Sequence, residues 1–549
     1  KEHRGNISYN FSPKSRSIQP FKNLKLFDLK IFKLIKDFNI NPLPSNINIR
    51  GDLNRRYNKT QYRNSDLSIE GVDAIYEKYF SINKSYGMRW NIFNSMNIDF
   101  NVVNNSVVDE PEGELDSQEK LDSMYYNLKR LGRTNNFNQN IQINYKLPIN
   151  KFPLLDWISS NAKYSSRYIW SAGSYQQSDS LGNVVENNRE YSLNTKLDIS
   201  KFYDKIPILK NYNKKYQEKD SIKSIFQSKT FDGIMKLIMS LRSINLTYNV
   251  SERTGMAGLV DSPGIFGLNN FSKSPGWNFI LGSQDSEIRN IAAERGWLVK
   301  NDYLNSPFIQ SRSKNFQFRS SIQPLNSFRI QLDAKRIVSE NFQETFRFNS
   351  QKNSYVSLTP TRGGTFSLSF LAIRTSFIKD DELNNSPTFT RFTKNREIIR
   401  DRLNNLNTQG EYGLNSQDVL IPAFISAYSD SDPSSYSLKP FPKIPIPNWR
   451  VDFSGLSKIE SLSEIFSNIT ISHAYQSIYS IGEFSNSLLY VDNLDFNNSI
   501  MNYPLASQQT ENGLIPFYII NQVRITERFS PLIGINVRTK NNLNARLYL

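Results

Sequence analysis

Apolar and polar residues alternate with a period of two in segment after segment of this chain. Met96, Ile98, Phe100 and Val102 share one parity, and Asn97, Asp99 and Asn101 hold the other. Ile141, Ile143, Tyr145 and Leu147 alternate with Asn140, Gln142, Asn144 and Lys146. Tyr191, Leu193, Leu197 and Ile199 stand against Ser192, Asn194, Lys196 and Asp198. Ile244, Leu246, Tyr248 and Val250 repeat the pattern around Asn245, and Phe328, Ile330 and Leu332 do so around Arg329, Gln331 and Asp333. Successive side chains on a strand point to opposite faces, so each segment predicts a strand with one apolar and one strongly polar face. Near the C-terminus, Ile533, Ile535 and Val537 run into a polar turn at Thr539–Asn542. Ala545, Leu547 and Leu549 then resume the apolar parity, with Asn536, Arg538, Asn544 and Arg546 on the other face. Two strands in one register across a short turn predict an antiparallel hairpin.

Helical spacing is confined to short inserts near 21–38, 229–241 and 456–467, carried by Leu24, Phe27, Ile31, Leu34 and Phe38, by Phe231, Ile234, Ile238 and Leu241, and by Leu456, Ile459, Leu462 and Phe466. Such amphipathic stretches pack an apolar face on a neighbour or lie on a membrane surface. Lys151-Phe152-Pro153, Lys205-Ile206-Pro207 and Lys443-Ile444-Pro445 mark places where strands stop, because proline lacks a ladder donor. Long loops are expected near 109–133, 251–305 and 378–448. No linker divides the chain, so residues 1–549 read as one continuous architecture.

Strands with one polar face fit a soluble sandwich or a transmembrane barrel whose apolar face meets lipid. The patterns extend over the whole chain, the polar parity is rich in Lys, Arg, Asn, Gln and Asp, and aromatics gather at segment ends, as in Ser166-Arg167-Tyr168-Ile169-Trp170. These features favour an all-β, antiparallel transmembrane β-barrel with short amphipathic helical inserts, of roughly 14–18 strands in this length. The lumen-facing candidates are then Asn97, Asp99, Asn140, Gln142, Asn144, Lys196, Asp198, Asn245, Arg329, Gln331, Asp333, Arg538 and Arg546. A single bulge would shift that parity downstream.

Composition narrows the chemistry. The 549 residues contain no cysteine and two histidines, His3 and His473. Disulfides, thiolate metal sites and cysteine nucleophiles are therefore excluded, and a multi-histidine metal centre is not expected. Aromatic residues make up 13% of an otherwise polar chain, which separates it from disordered sequences. The net charge of +16 meets one criterion for nucleic-acid binding, but the cations are spread along strands and no binding motif accompanies them. A polar pore, or a surface beside anionic outer-membrane lipid, accounts for the charge more simply. The glycine-rich stretch from Gly255 to Gly282 has no GK[ST] and reads as a mobile loop. The acidic run Asp109, Glu110, Glu112, Glu114, Asp116 and Glu119 matches no calcium-loop spacing and reads as solvated surface. His473 lies in an apolar parity with Ile469, Ile471, Tyr475 and Tyr479, and no nucleophile motif accompanies it. No catalytic residues, metal ligands or cofactors are expected. The chain begins at Lys1 rather than Met, so a processed chain or a fragment is expected.

Several ordered strings resemble one family, the very large SprA (Sov) outer-membrane translocon of the type IX secretion system in Bacteroidetes. They are Thr60-Gln61-Tyr62-Arg63-Asn64-Ser65-Asp66-Leu67, Asp109-Glu110-Pro111-Glu112-Gly113, and Asn415-Ser416-Gln417-Asp418-Val419-Leu420-Ile421-Pro422-Ala423-Phe424. Phe441-Pro442-Lys443-Ile444-Pro445-Ile446-Pro447-Asn448-Trp449-Arg450, Gly455-Leu456-Ser457-Lys458 and Ile469-Thr470-Ile471-Ser472-His473 follow in order. The resemblance runs from near residue 40 to near residue 485 and corresponds to the C-terminal part of much longer family members. It implies part of a single giant barrel in a Gram-negative outer membrane that passes folded cargo proteins bearing a C-terminal signal. It also implies a smaller outer-membrane barrel partner at a lateral opening, a periplasmic plug, and no enzymatic activity. A self-contained porin or transporter, and a soluble adhesin or carbohydrate-binding β protein, are the competing readings.

Overall fold

The computed structural model describes residues 1–14, 16–24, 29, 32–62, 73–174, 181–207, 209–210, 238–490, 500, 503–510 and 513–549. Ten strands follow one another in the chain: β1 (Glu2–Phe11), β2 (Asn46–Thr60), β3 (Ile75–Phe93), β4 (Met96–Val107), β5 (Arg133–Leu147), β6 (Ile158–Ser171), β7 (Asn183–Asp198), β8 (Leu241–Leu259), β9 (Phe308–Leu325) and β10 (Phe328–Asn349). Each pairs antiparallel with the next. β11 (Ser354–Ser369) and β12 (Asn448–Phe453) both lie between β10 and β13 (Phe466–Asn486). They are two halves of one position, with residues 370–447 inserted between them at mid-height. β14 (Ser507–Thr510) and β15 (Gly513–Ile515) form a separate pair. β16 (Tyr518–Ile520), β17 (Val523–Phe529) and β18 (Gly534–Thr539) run end to end along β13, interrupted at Pro531, and β19 (Asn544–Tyr548) closes the predicted hairpin. The 17 strands of the main sheet thus fill fourteen positions, in the up-and-down antiparallel order of a barrel wall. Among the described residues, β1 pairs only with β2 and β19 only with β18.

The tight turns β3–β4 and β9–β10 define what we term the lower end. The upper end carries the segments 108–132 and 260–307. One face is apolar, and over its lower half its rows of apolar residues are left uncovered. Phe11 faces Ile47, Ile47 faces Met88, Met88 faces Phe100, and Phe100 faces Ile141. Farther along, Leu193 faces Tyr248 and Tyr248 faces Phe316. The opposite face is predominantly polar, with Val103, Ile169, Ile337 and Ile478 interspersed, because period-2 alternation survives across each ladder despite the bulges in individual strands.

Several segments depart from the sequence expectations. The 109–133 loop holds a helix of its own. α1 (Lys33–Lys36) is the only helix described within 21–38, of which residues 25–28, 30 and 31 lie outside the described residues. α2 (Gln118–Lys129) starts at Ser117, whose side chain accepts from the Lys120 amide. It stops at Leu131 and Gly132, both with positive φ; a Cβ on Gly132 would sit 2.7 Å from the Val107 carbonyl oxygen. Ile199, expected as the end of a strand, begins α3 (Ile199–Tyr203). The insert near 229–241 falls mostly outside the described residues, and the one near 456–467 is a single 3-10 turn plus a four-residue helix. In 251–305 the strand β8 persists to Leu259, and α4 (Trp277–Ile280) and α5 (Ile288–Glu294) follow. Rather than a free loop, this segment buries Phe279, Ile280 and Trp297 against Phe137, Tyr168 and Trp170 of the sheet. Each such side chain is worth roughly 1.5–3 kcal/mol when fully buried. In 378–448, α6 (Pro387–Leu406) and α7 (Gln417–Tyr428) pack together, and α7 rests Ile421 and Ile425 on Phe366, Leu368 and Tyr479. The polar composition of α6 hid its helical face, which buries only Thr388, Asn395, Ile399 and Leu403.

Candidate functional site

The polar face runs across the main sheet, and its residues come together by register. Asn97 lies opposite Asn144, Asp99 opposite both Arg89 and Gln142, and Asn140 opposite Arg167. Lys196 lies opposite Asn245, Asn245 opposite Arg319, and Asp198 opposite Ser243. Arg329, Gln331 and Asp333 lie opposite Asp452, Arg450 and Asn448, while Arg538 and Arg546 share this face at the last hairpin. Unlike charges are placed side by side: Arg89 reaches Asp99 at 2.6 Å, Arg319 reaches Asp333 at 2.9 Å, and Arg253 reaches Glu186 at 2.5 Å. Exposed pairs of this kind add little stability. Their chemical effect is to leave a hydrated surface whose charges are locally compensated.

The motif positions do not gather into one pocket; residues 109–113 and 415–418 brace the upper part at two places, while Pro447 and Trp449 sit lower, at the start of β12, with Trp449 opposite Leu332. Glu110 receives a bidentate contact from Arg55, 2.6 and 3.0 Å, with the Glu110 side chain buried. Asp109 pairs with Arg133, the Pro111 carbonyl accepts from Lys78, and Gly113 takes positive φ where the chain turns toward α2. Of the acidic run, the Glu110 side chain alone is buried, clasped on Arg55 of β2, while Glu112, Glu114, Asp116 and Glu119 are exposed, as a solvated surface run requires. At the second place, the Gln417 side chain donates to the Tyr518 carbonyl and accepts from the Ile520 amide, fastening α7 to β16. Asp418 is buried and accepts from the Tyr503 hydroxyl at 2.9 Å; burial pushes its carboxyl up to about 6. Asn415 accepts from Arg396, and Pro447 leads into Trp449, which stacks on Tyr475 with ring centroids 4.5 Å apart. His473 bonds the Leu532 carbonyl at 2.7 Å beside Phe529, a packing role.

A buried charged row escaped the sequence reading. On the same parity as the apolar band, but above it, Arg189 faces Glu252, Glu252 faces Arg312, and Arg312 faces Glu340 across β7–β10. Arg189 contacts Glu252 at 2.5 Å and Arg312 contacts Glu340 at 2.9 Å. The 260–307 segment seals this upper part of the face. From it, Arg289 of α5 pairs with Glu344 beneath the rings of Phe308, Phe342 and Phe346, and Asn187 donates to the Phe279 and Ser283 carbonyls. The available signal was the simultaneous break of the apolar parity at Arg189, Glu252, Arg312 and Glu340.

No protein-family profile and no curated protein matches this chain. Among solved structures it is similar to the ferric-catecholate import receptor Fiu from E. coli K12, at 7% identity and TM-score 0.24, covering 98% of this chain and 60% of that one. It is also similar to FpvA of P. aeruginosa at 6% identity and TM-score 0.20, covering 100% of this chain and 62% of that one. The siderophore receptor PirA from Acinetobacter baumannii follows at 10% identity and TM-score 0.20, covering 92% and 70%. The chain thus spans about three fifths of the length of the first two. At these TM-scores the likeness carries no argument, and the fold rests on the chain's own strand pairings.

Proposed function

We propose that this chain forms part of the wall of a large outer-membrane barrel that conducts folded proteins, the translocon of a type IX secretion system. The observation that carries the reading is the division of the sheet. One face is predominantly polar over fourteen strand positions, and the other is apolar, open over its lower half and covered above by the 260–307 segment and α7. In a bilayer the band meets lipid and the polar face lines water. A wall whose charges are compensated locally offers passing proteins hydration without strong retention. The cargo itself, the smaller partner barrel at a lateral opening and the periplasmic plug come from the resemblance of the ordered sequence strings. Disrupting the gene should trap secreted proteins bearing a C-terminal signal in the periplasm, scored by immunoblot of cell fractions. Normal secretion in that mutant would falsify the assignment. Small-solute conductance by this chain alone in a planar bilayer would favour a self-contained transporter instead.

A further inference from the structure

The apolar face carries a groove of about 1060 Å³ over β2, β3 and β4. Its floor includes Ile49, Met88 and Phe100, and its overhanging lips are Leu131, just past α2, and Phe266, beyond β8. Both lip residues are more than half exposed. Phe266 leans over Phe100 with ring centroids 6.1 Å apart, and the Tyr86 hydroxyl donates to the Ile265 carbonyl, holding that lip above the sheet. The groove runs on directly from the apolar band, since Met88 and Phe100 belong to both.

We infer that this groove holds a phosphate-bearing membrane lipid, with acyl chain on the floor and phosphate at Lys84. The inference rests on the membrane-spanning reading. Two of the cations near the floor differ in their commitments: Arg50 is bound in a bidentate contact by Asp52, whereas Lys84 donates one 3.3 Å bond to the Leu131 carbonyl. An ammonium has three donors, so Lys84 keeps N–H groups for a phosphate oxygen at the upper rim of the groove. A partner strand is disfavoured as the occupant, because β2, β3 and β4 are each already paired on both sides. What the groove offers is apolar side chains and a single available cation, the chemistry of an acyl chain and its headgroup.

The test is native mass spectrometry of the protein purified from membranes in mild detergent, with organic extraction identifying the lipid. The expected result is one phosphate-bearing lipid retained per chain. It should be lost in Phe266→Asp, retained roughly tenfold more weakly in Lys84→Gln, and unchanged in Asn83→Asp on the polar face. Phosphatidylglycerol and lipid A supplied in parallel distinguish the two sources by mass. Equal retention in all three variants marks bulk annular lipid and overturns the inference, as does a co-purifying protein in place of lipid. Outer-membrane fractionation and heat-modifiable mobility are read on the same samples. If the unaltered protein is not in that fraction, the membrane reading itself fails and the lipid site falls with it. If it is there without lipid, only the lipid site fails.

Discussion

Arginine introduced at Leu246 and, separately, at Asn245 compares the two faces of β8 at one height. Leu246 stands between Thr195 and Phe318 on the apolar face, and Asn245 between Lys196 and Arg319 on the polar one. The apolar row of β8 begins at Leu241 and ends where Glu252 starts the charged row. Those eleven steps, at roughly 3.3 Å each and roughly 40° of tilt, give a height of roughly 28 Å, close to the roughly 25 Å apolar belt of outer-membrane barrels. Leu246 is five steps from the lower edge, near the middle. An arginine there should cost about 2–4 kcal/mol, which lowers the folded-to-unfolded ratio about 30- to 900-fold. The same side chain at Asn245 enters a face already carrying Arg319 and should cost little. The assay is the heat-modifiable fraction of protein in the outer membrane, with Leu246→Ala as a control for lost packing alone. Equal assembly of the two arginine variants would refute the face assignment, and with it the lipid contact of the band.

Removing one partner of the Arg55–Glu110 pair, as in Glu110→Ala, strands a largely buried guanidinium; we expect a loss of roughly 2–3 kcal/mol, measured as earlier urea unfolding or faster proteolysis between residues 108 and 132. Gly364→Ala would set a Cβ against the Ser339 carbonyl oxygen and 2.8 Å from the Phe484 ring, so it should cost about 1–3 kcal/mol and loosen β11; unchanged melting would show that the strand can shift there. Asp418 ionises at its ordinary 3.8 in the unfolded chain and at about 6 when folded, so stability is full below about 4, falls by roughly 3 kcal/mol as pH rises to about 6, and stays flat above. Asp418→Asn should remove that dependence and make the α6–α7 insert more protease-resistant at pH 8 than at pH 4 relative to the unaltered protein.

The strand faces were legible in the sequence because alternation is a local property. Asn97 and Asp99 share a face whatever their neighbours do, and antiparallel register then brings Gln142 and Asn144 beside them. The final hairpin was legible for the same reason. Local pattern also misled where a polar surface concealed a packed element. α6 buries four positions of its twenty, and α2 opens in an acidic run whose charges are taken up by Arg55, Lys59 and Lys120.

By itself, then, the sequence determined the period-2 strands, the polar and apolar faces, and the absence of thiol chemistry. Only the tertiary structure decided how high the apolar band reaches and what covers the face above it. Glu252 and Arg312 carry the parity of the apolar band, yet they are buried beside a segment that folds back from residues 260–307. Likewise, one strand position is built from β11 and β12, separated in sequence by 78 residues and joined in space by their shared partners β10 and β13. Alternation records which way a side chain points. What it meets there depends on contacts between segments far apart in the chain, and no local pattern encodes them.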